Sequence, residues 1–159
     1  MSSTHKKIIV QKLDRDSMNG YLASSSFIVD GKLEMLNTAG NVVSIDLKDV
    51  KSVYFVRDFN ETDLLARRTF TTRPRSAGLW VRLRFKDNEM LEGTMPTDLT
   101  QSPAEGYLIN PPDLRSNTQR IFVPRTALAS FTVVAVVGVQ KRKRHSEAGQ
   151  LQERLFEEQ

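Results

Sequence analysis

Between Leu64 and Lys86 the chain carries seven cationic side chains and no acidic one: Arg67, Arg68, Arg73, Arg75, Arg82, Arg84 and Lys86. Trp80 stands among them. Guanidinium groups offer paired donors that match phosphate oxygens, and an indole offers a face on which a base can stack. The chemistry open to such a set is binding of an anion or polyanion, either nucleic acid or a nucleotide phosphate. The same residues also read as an ordinary solvated face, with Arg84 paired to Glu92 and Lys86 near Glu89. That plainer reading is preferred. A second cationic run, Lys141, Arg142, Lys143 and Arg144, follows the last apolar stretch. It suits contact with nucleic acid or an anionic surface, or simply solubilises a tail that also carries acidic residues.

Reactive groups are scarce. There is no cysteine, which excludes disulfides, thiolate metal sites and cysteine nucleophiles. The two histidines, His5 and His145, lie near the two ends. A histidine base or multi-histidine metal site inside the domain is therefore not expected. Asp14 and Asp87 fall in turns, as do Asp113 and Asn117 within Asn110-Pro111-Pro112-Asp113-Leu114-Arg115-Ser116-Asn117. These are turn-forming residue types, so they are read as turn residues before they are read as a pocket or an acid/base pair. No phosphate-binding glycine loop or nucleophile elbow is present. The expectation is a non-enzymatic protein with no cofactor and no metal.

Strands must position the cationic face. Leu79, Val81, Leu83 and Phe85 alternate with Trp80, Arg82, Arg84 and Lys86, the period of a strand with one apolar side. Asp87-Asn88 supplies the turn, and the expected register places Phe85 opposite Leu91 and Arg84 opposite Glu92. A similar phrase occurs earlier. Ile8-Ile9-Val10 leads through Asp14 and Met18 to Gly20, and 73 positions later Val81-Arg82-Leu83 leads through Asp87 and Leu91 to Gly93. Further on, a shift of 78 aligns Val43 with Ile121, Ile45 with Val123, Val50 with Leu128 and Val53 with Phe131. This implies an internal repeat whose second copy has a longer loop. The cationic face is not repeated, since Gln11 and Ile9 align with Arg84 and Arg82.

The organisation that follows is a loose terminus over 1–6 and a first β unit over 7–57. A basic linker over 58–78, a second β unit over 79–138 and a charged tail over 139–159 complete it. Asp63 to Arg68 suggests one short helical turn, and Ser146 to Glu158 a short helix in the tail. With 159 residues and a hydrophobic share of 39% the chain can bury a core, but two separate half-size units would each be marginal, so they should pack together. No apolar run approaches the ~18 residues of a membrane span, and Met1 to Lys7 lacks the apolar core of a signal peptide. A cytoplasmic location is expected. The fold class expected is mainly β, two tandem barrel-like units with little helix.

Each unit, ordered strand, hairpin, strand, hairpin, strand, resembles a small SH3-like or Sm-like barrel. Phe85-Lys86-Asp87-Asn88-Glu89-Met90-Leu91-Glu92-Gly93 is similar to the first hairpin of Sm-like barrels. The Asp/Asn and Arg-Gly loops with which Sm-like barrels hold RNA are missing, so RNA binding is not carried over. From about Lys7 to Gly138 the chain resembles a bacterial family of uncharacterised small β domains found alone or near PilZ-type domains. Lys51-Ser52-Val53-Tyr54-Phe55-Val56-Arg57-Asp58-Phe59, the Phe85 to Gly93 segment and the loop from Asn110 to Asn117 carry that resemblance. It implies no catalytic residues, and the cyclic di-GMP signature of PilZ domains is absent. The function expected is a binding or scaffold module with a protein partner, with a nucleic-acid or anionic ligand as the alternative. An enzyme is the least favoured class. Open strand edges on two incomplete barrels suggest pairing between chains as a homodimer.

Overall fold

The computed structural model describes residues 5–22, 27–60 and 64–138. The protein is mainly β. The first half holds β1 (Lys6–Lys12), β2 (Ser17–Leu22), β3 (Ile28–Val29), β4 (Lys32–Asn37), β5 (Val42–Asp46) and β6 (Val50–Val56). The second holds β7 (Gly78–Phe85), β8 (Met90–Met95), β9 (Gly106–Ile109), β10 (Thr118–Pro124) and β11 (Leu128–Val137). A larger sheet runs β3-β4-β2-β1-β6-β10-β9 with β5 on the side of β4, and a smaller one runs β11-β7-β8. The two meet where Thr94 and Asn110 exchange backbone hydrogen bonds of 3.0 and 2.8 Å. The first strand begins at Lys6, one residue before the expected start.

The two long hairpins share one local design. In β1–β2 the loop is Leu13-Asp14-Arg15, and in β7–β8 it is Lys86-Asp87-Asn88. Arg15 and Asn88 hold the left-handed conformation, with φ of 75° and 73°. Asp14 and Asp87 each accept the backbone N–H two residues on, from Asp16 and Glu89, at 3.0 Å. This loop corrects the expected register. Arg82 faces Glu92, Leu83 faces Leu91 and Arg84 faces Met90. The three-residue loop brings Phe85 opposite Glu89, where the Phe85 N–H donates to the Glu89 carbonyl. The expected pairing would need two further loop residues. Past the hairpins, Gly20 and Gly93 lie where a third strand crosses closely. A Cβ would approach the carbonyl oxygens of Leu36 and Asn110 to 2.4 and 2.5 Å.

Strand pairing follows the same order in both halves. Shifting β1 by 73 and β6 by 78 takes Ile8↔Phe55 onto Val81↔Val133, Ile9↔Tyr54 onto Arg82↔Thr132 and Val10↔Val53 onto Leu83↔Phe131. A bulge recurs at the same place, between Gln11 and Lys12 against β6 and between Leu128 and Ser130 against β7. Single 3₁₀ turns precede β6 and β11, at Leu47–Asp49 and Arg125–Ala127.

β6 joins the halves by pairing with β1 on one side and β10 on the other. The three strands form a slab whose faces serve different cores. Ile8, Val10, Val53, Phe55 and Phe122 pack with Leu22, Leu33 and Ile45. Ile9, Tyr54, Val56, Ile121 and Val123 pack with Val81, Leu83, Phe85 and Leu91. Both faces being apolar explains why alternation alone cannot orient β1.

The connection between the halves is folded onto them. Residues 64–68 form no helical turn, which corrects that expectation; instead Leu64 and Leu65 pack on the second core. The Arg68 carbonyl accepts from the Glu92 N–H at 2.7 Å, covering part of the outer edge of β8. In the 110–117 loop, Asp113 accepts the Arg115 N–H as an Asx turn. Asn117 does more than turn. Its side chain accepts from the Asp58 N–H at 2.9 Å and donates to the Asp58 carbonyl at 2.7 Å. Lys141, Arg142, Lys143, Arg144 and the short helix expected in the tail lie outside the described residues.

Candidate functional site

The cationic face divides into engaged and exposed residues. Glu92 is 3% exposed on the outer side of β8. Its Oε2 accepts from Trp80 Nε1 at 3.2 Å and from Arg82 Nε and Nη2 at 3.2 and 3.0 Å. Its Oε1 accepts from the Phe70 N–H at 2.9 Å. The Trp80 ring is met edge-on by Phe70, with centroids 5.8 Å apart. A buried carboxylate needs such donors, because an unsatisfied one would cost several kcal/mol, of order 3–5. The register explains the set: Trp80 and Arg82 flank Glu92 on the same side of the sheet, and the linker closes over them.

The remaining cations disperse. Arg67 donates to Thr71 Oγ1 at 3.1 Å, and Arg73 to the Val136 carbonyl at 3.0 Å. Arg68 pairs with Glu89 at 3.3 Å. Arg75, Arg84 and Lys86 are exposed. Two ion pairs therefore differ from expectation: Glu92 takes Arg82 rather than Arg84, and Glu89 takes Arg68 and Lys51 rather than Lys86.

Lys51 is the residue that sequence reasoning passed over. It lies in β6, 8% exposed, with Nζ 2.7 Å from both Asp87 Oδ2 and Glu89 Oε2 and 4.9 Å from the Phe85 ring centre. Burial pulls the pKa of its ammonium down, but the hydrogen bonds and charges of Asp87 and Glu89 outweigh this and raise it. The Lys51 hydrogen bond holds the Asp87 carboxyl below its ordinary value. This group borders a polar cleft of about 510 Å³ between the two hairpin turns, lined also by Lys12, Arg15 and Arg68. Asp87 looked like a turn residue alone. Only the tertiary fold brings Lys51 to it from 36 positions away.

Two strand edges complete the surface. Among the described residues β5 pairs only with β4, and β11 only with β7. Their exposed apolar side chains are Val42 at 72%, Val133 at 50%, Val134 at 36% and Val136 at 49%. β6, the counterpart of β11, is buried throughout because β10 covers its second edge.

Fold and surface together define a mainly β protein of two packed sheets, in which the described residues leave one edge of β5 and one of β11 without a strand partner. The chain matches a family of unknown function, DUF6982, over residues 4–135, and it belongs to that family. No curated protein and no solved structure matches it. No helix among the described residues is long and apolar enough to cross a membrane. No group of three or more His, Cys, Asp or Glu side chains among them is placed to hold a metal ion.

Proposed function

We propose that the protein is a non-enzymatic binding or scaffold module of the bacterial cytoplasm, built from two copies of one SH3-like or Sm-like barrel unit. The matching registers of the two halves support the duplicated unit. The observation that carries the binding function is the ten-residue edge strand β11, which presents Val133, Val134 and Val136 to solvent. An open edge offers unpaired backbone donors and acceptors, and its side chains select what pairs there. An extended segment of another polypeptide is the matching ligand. The nucleic-acid or nucleotide-phosphate alternative has less support, because Trp80, Arg82 and Arg68 already engage Glu92 and Glu89.

Selection from a library of displayed random peptides tests this function. Selected peptides should be rich in β-branched residues, and should bind Val134→Lys and Val136→Lys variants at least tenfold more weakly. Peptides insensitive to both variants, or no peptides at all, would remove the β11 edge as the binding surface. Titration with single-stranded and duplex nucleic acid at two salt concentrations gives the competing outcome. Salt-sensitive binding lost on replacing Arg75, Arg84 and Lys86 would favour the polyanion alternative.

A further inference from the structure

The β6–β10 pairing is a joint between the last strand of the first half and the fourth strand of the second. Its two components occur once more in the chain without each other. β11 is the last strand of the second half, and β5 corresponds to β10. The correspondence is by residue: Leu33↔Ile45 in β4–β5 matches Tyr107↔Val123 in β9–β10, with shifts of 74 and 78. The edge of β5 without a strand partner among the described residues is therefore the edge that β10 gives to β6. The edge of β11 without a strand partner among the described residues, where Arg73 alone donates to the Val136 carbonyl, is the one that β6 gives to β10.

We infer that a second copy of this chain is the occupant of the β11 edge, and that β11 of one molecule adds to β5 of the next in the register of the internal joint. This rests on the binding-module function and names its partner. Transposing Val53↔Phe122, Tyr54↔Ile121 and Phe55↔Arg120 pairs Phe131 with Ser44, Thr132 with Val43, and Val133 with Val42 across the contact. The last pair brings together two of the exposed valines, one 50% and one 72% exposed in the single chain. Cross-strand pairs of this kind stabilise antiparallel ladders. Val42 and Val133 have no charged residue opposite them in that register. The contact uses different surfaces on the two molecules, so it is heterologous and builds a ring or a filament rather than a closed two-fold dimer.

Two single variants and their mixture test it by sedimentation velocity over a range of concentrations. The full chain should associate in steps. Val42→Lys blocks β5 and leaves β11 open, while Val133→Lys does the reverse. Both sites are exposed, so both variants should fold, which circular dichroism checks. Each alone should be monomeric at concentrations tenfold above those at which the full chain associates, and an equal mixture should give a 1:1 dimer and nothing larger. Because the chain lacks cysteine, Val42→Cys and Val133→Cys variants should form a mixed disulfide under oxidation, faster than either forms one with itself. A monomeric full chain overturns the inference, whether or not removal of residues 139–159 releases association. So does a Val42→Lys variant that dimerises alone, which would mean β11 pairing with β11. A monomer that still selects β11-directed peptides keeps the module and loses only the self-joining; one that does neither loses both.

Discussion

β6 and β11 occupy the same position in their two halves and share one bulge against the opening strand, although β11 has a second between Val133 and Ala135, yet they end in opposite surroundings. All seven residues of β6 are buried. Of the ten in β11 only Val137 is. Neither strand propensity nor hydrophobic pattern separates them, since both are rich in β-branched residues. The difference is the neighbour. β10 covers the second edge of β6, whereas along that edge of β11 no described strand pairs and only the Arg73 guanidinium reaches it, donating to the Val136 carbonyl. Burial here is a property of topology before it is a property of sequence.

The widest contrast should appear at Tyr54 and its counterpart Thr132. Tyr54→Ala removes a fully buried ring and should cost about 3–5 kcal/mol in denaturant unfolding of the monomer. Thr132→Ala should stay within about 0.5 kcal/mol. Equal losses would mean that β11 is covered in solution. Glu92 and its counterpart Asn19 come next. Glu92→Ala takes the acceptor from Trp80, Arg82 and the Phe70 N–H and should cost about 2–4 kcal/mol. Asn19→Ala should change little, and tryptophan fluorescence should respond only to the change at Glu92.

Lys51 gives a smaller effect, with a defined pH signature. Asp87 titrates below its ordinary value of 3.8, so its contribution is complete above that pH and is lost as the pH falls further. Lys51 titrates above its ordinary 10.5, so its contribution is complete below that pH and is lost as the pH rises through the raised value. Lys51→Met should therefore flatten both limbs of the stability profile and cost about 1 kcal/mol at neutral pH, since Asp87 and Glu89 remain hydrated. Asp14→Asn, at the matching turn, should stay within about 0.5 kcal/mol at neutral pH, because an amide oxygen can still accept the Asp16 N–H. The smallest effect is expected at Arg67, whose contact is an exposed hydroxyl; Arg67→Ala should stay within about 0.5 kcal/mol.

The mainly β class, most strand positions and both aspartate turns were legible, because alternation and turn chemistry are local. The β7–β8 register was not: it depends on Asn88 taking a left-handed conformation, which its residue type permits without requiring it. That shift of register moved Glu92 from Arg84 to Arg82. The linker looked extended and solvated, and its polar composition hid the backbone contact that Arg68 makes with β8. Lys51 carried no signal of its own, lying in a strand far along the chain from both carboxylates.

The slab of β1, β6 and β10 has a consequence for folding fidelity. Where a strand buries one face, a slip of one residue is punished at once, because polar groups enter the core. Over Val53, Tyr54, Phe55 and Val56 a slip of β6 would only trade side chains among two apolar cores, changing volumes but hardly polarity, and the polar penalty falls on Lys51 and Ser52 alone. Proofreading of this alignment falls to features outside the cores: Lys51 held by Asp87 and Glu89, the three-residue turns at Arg15 and Asn88, the bulge at Gln11, and the side chain of Asn117 fastened to Asp58. In this molecule the loops, rather than the hydrophobic interior, keep the central strand in frame.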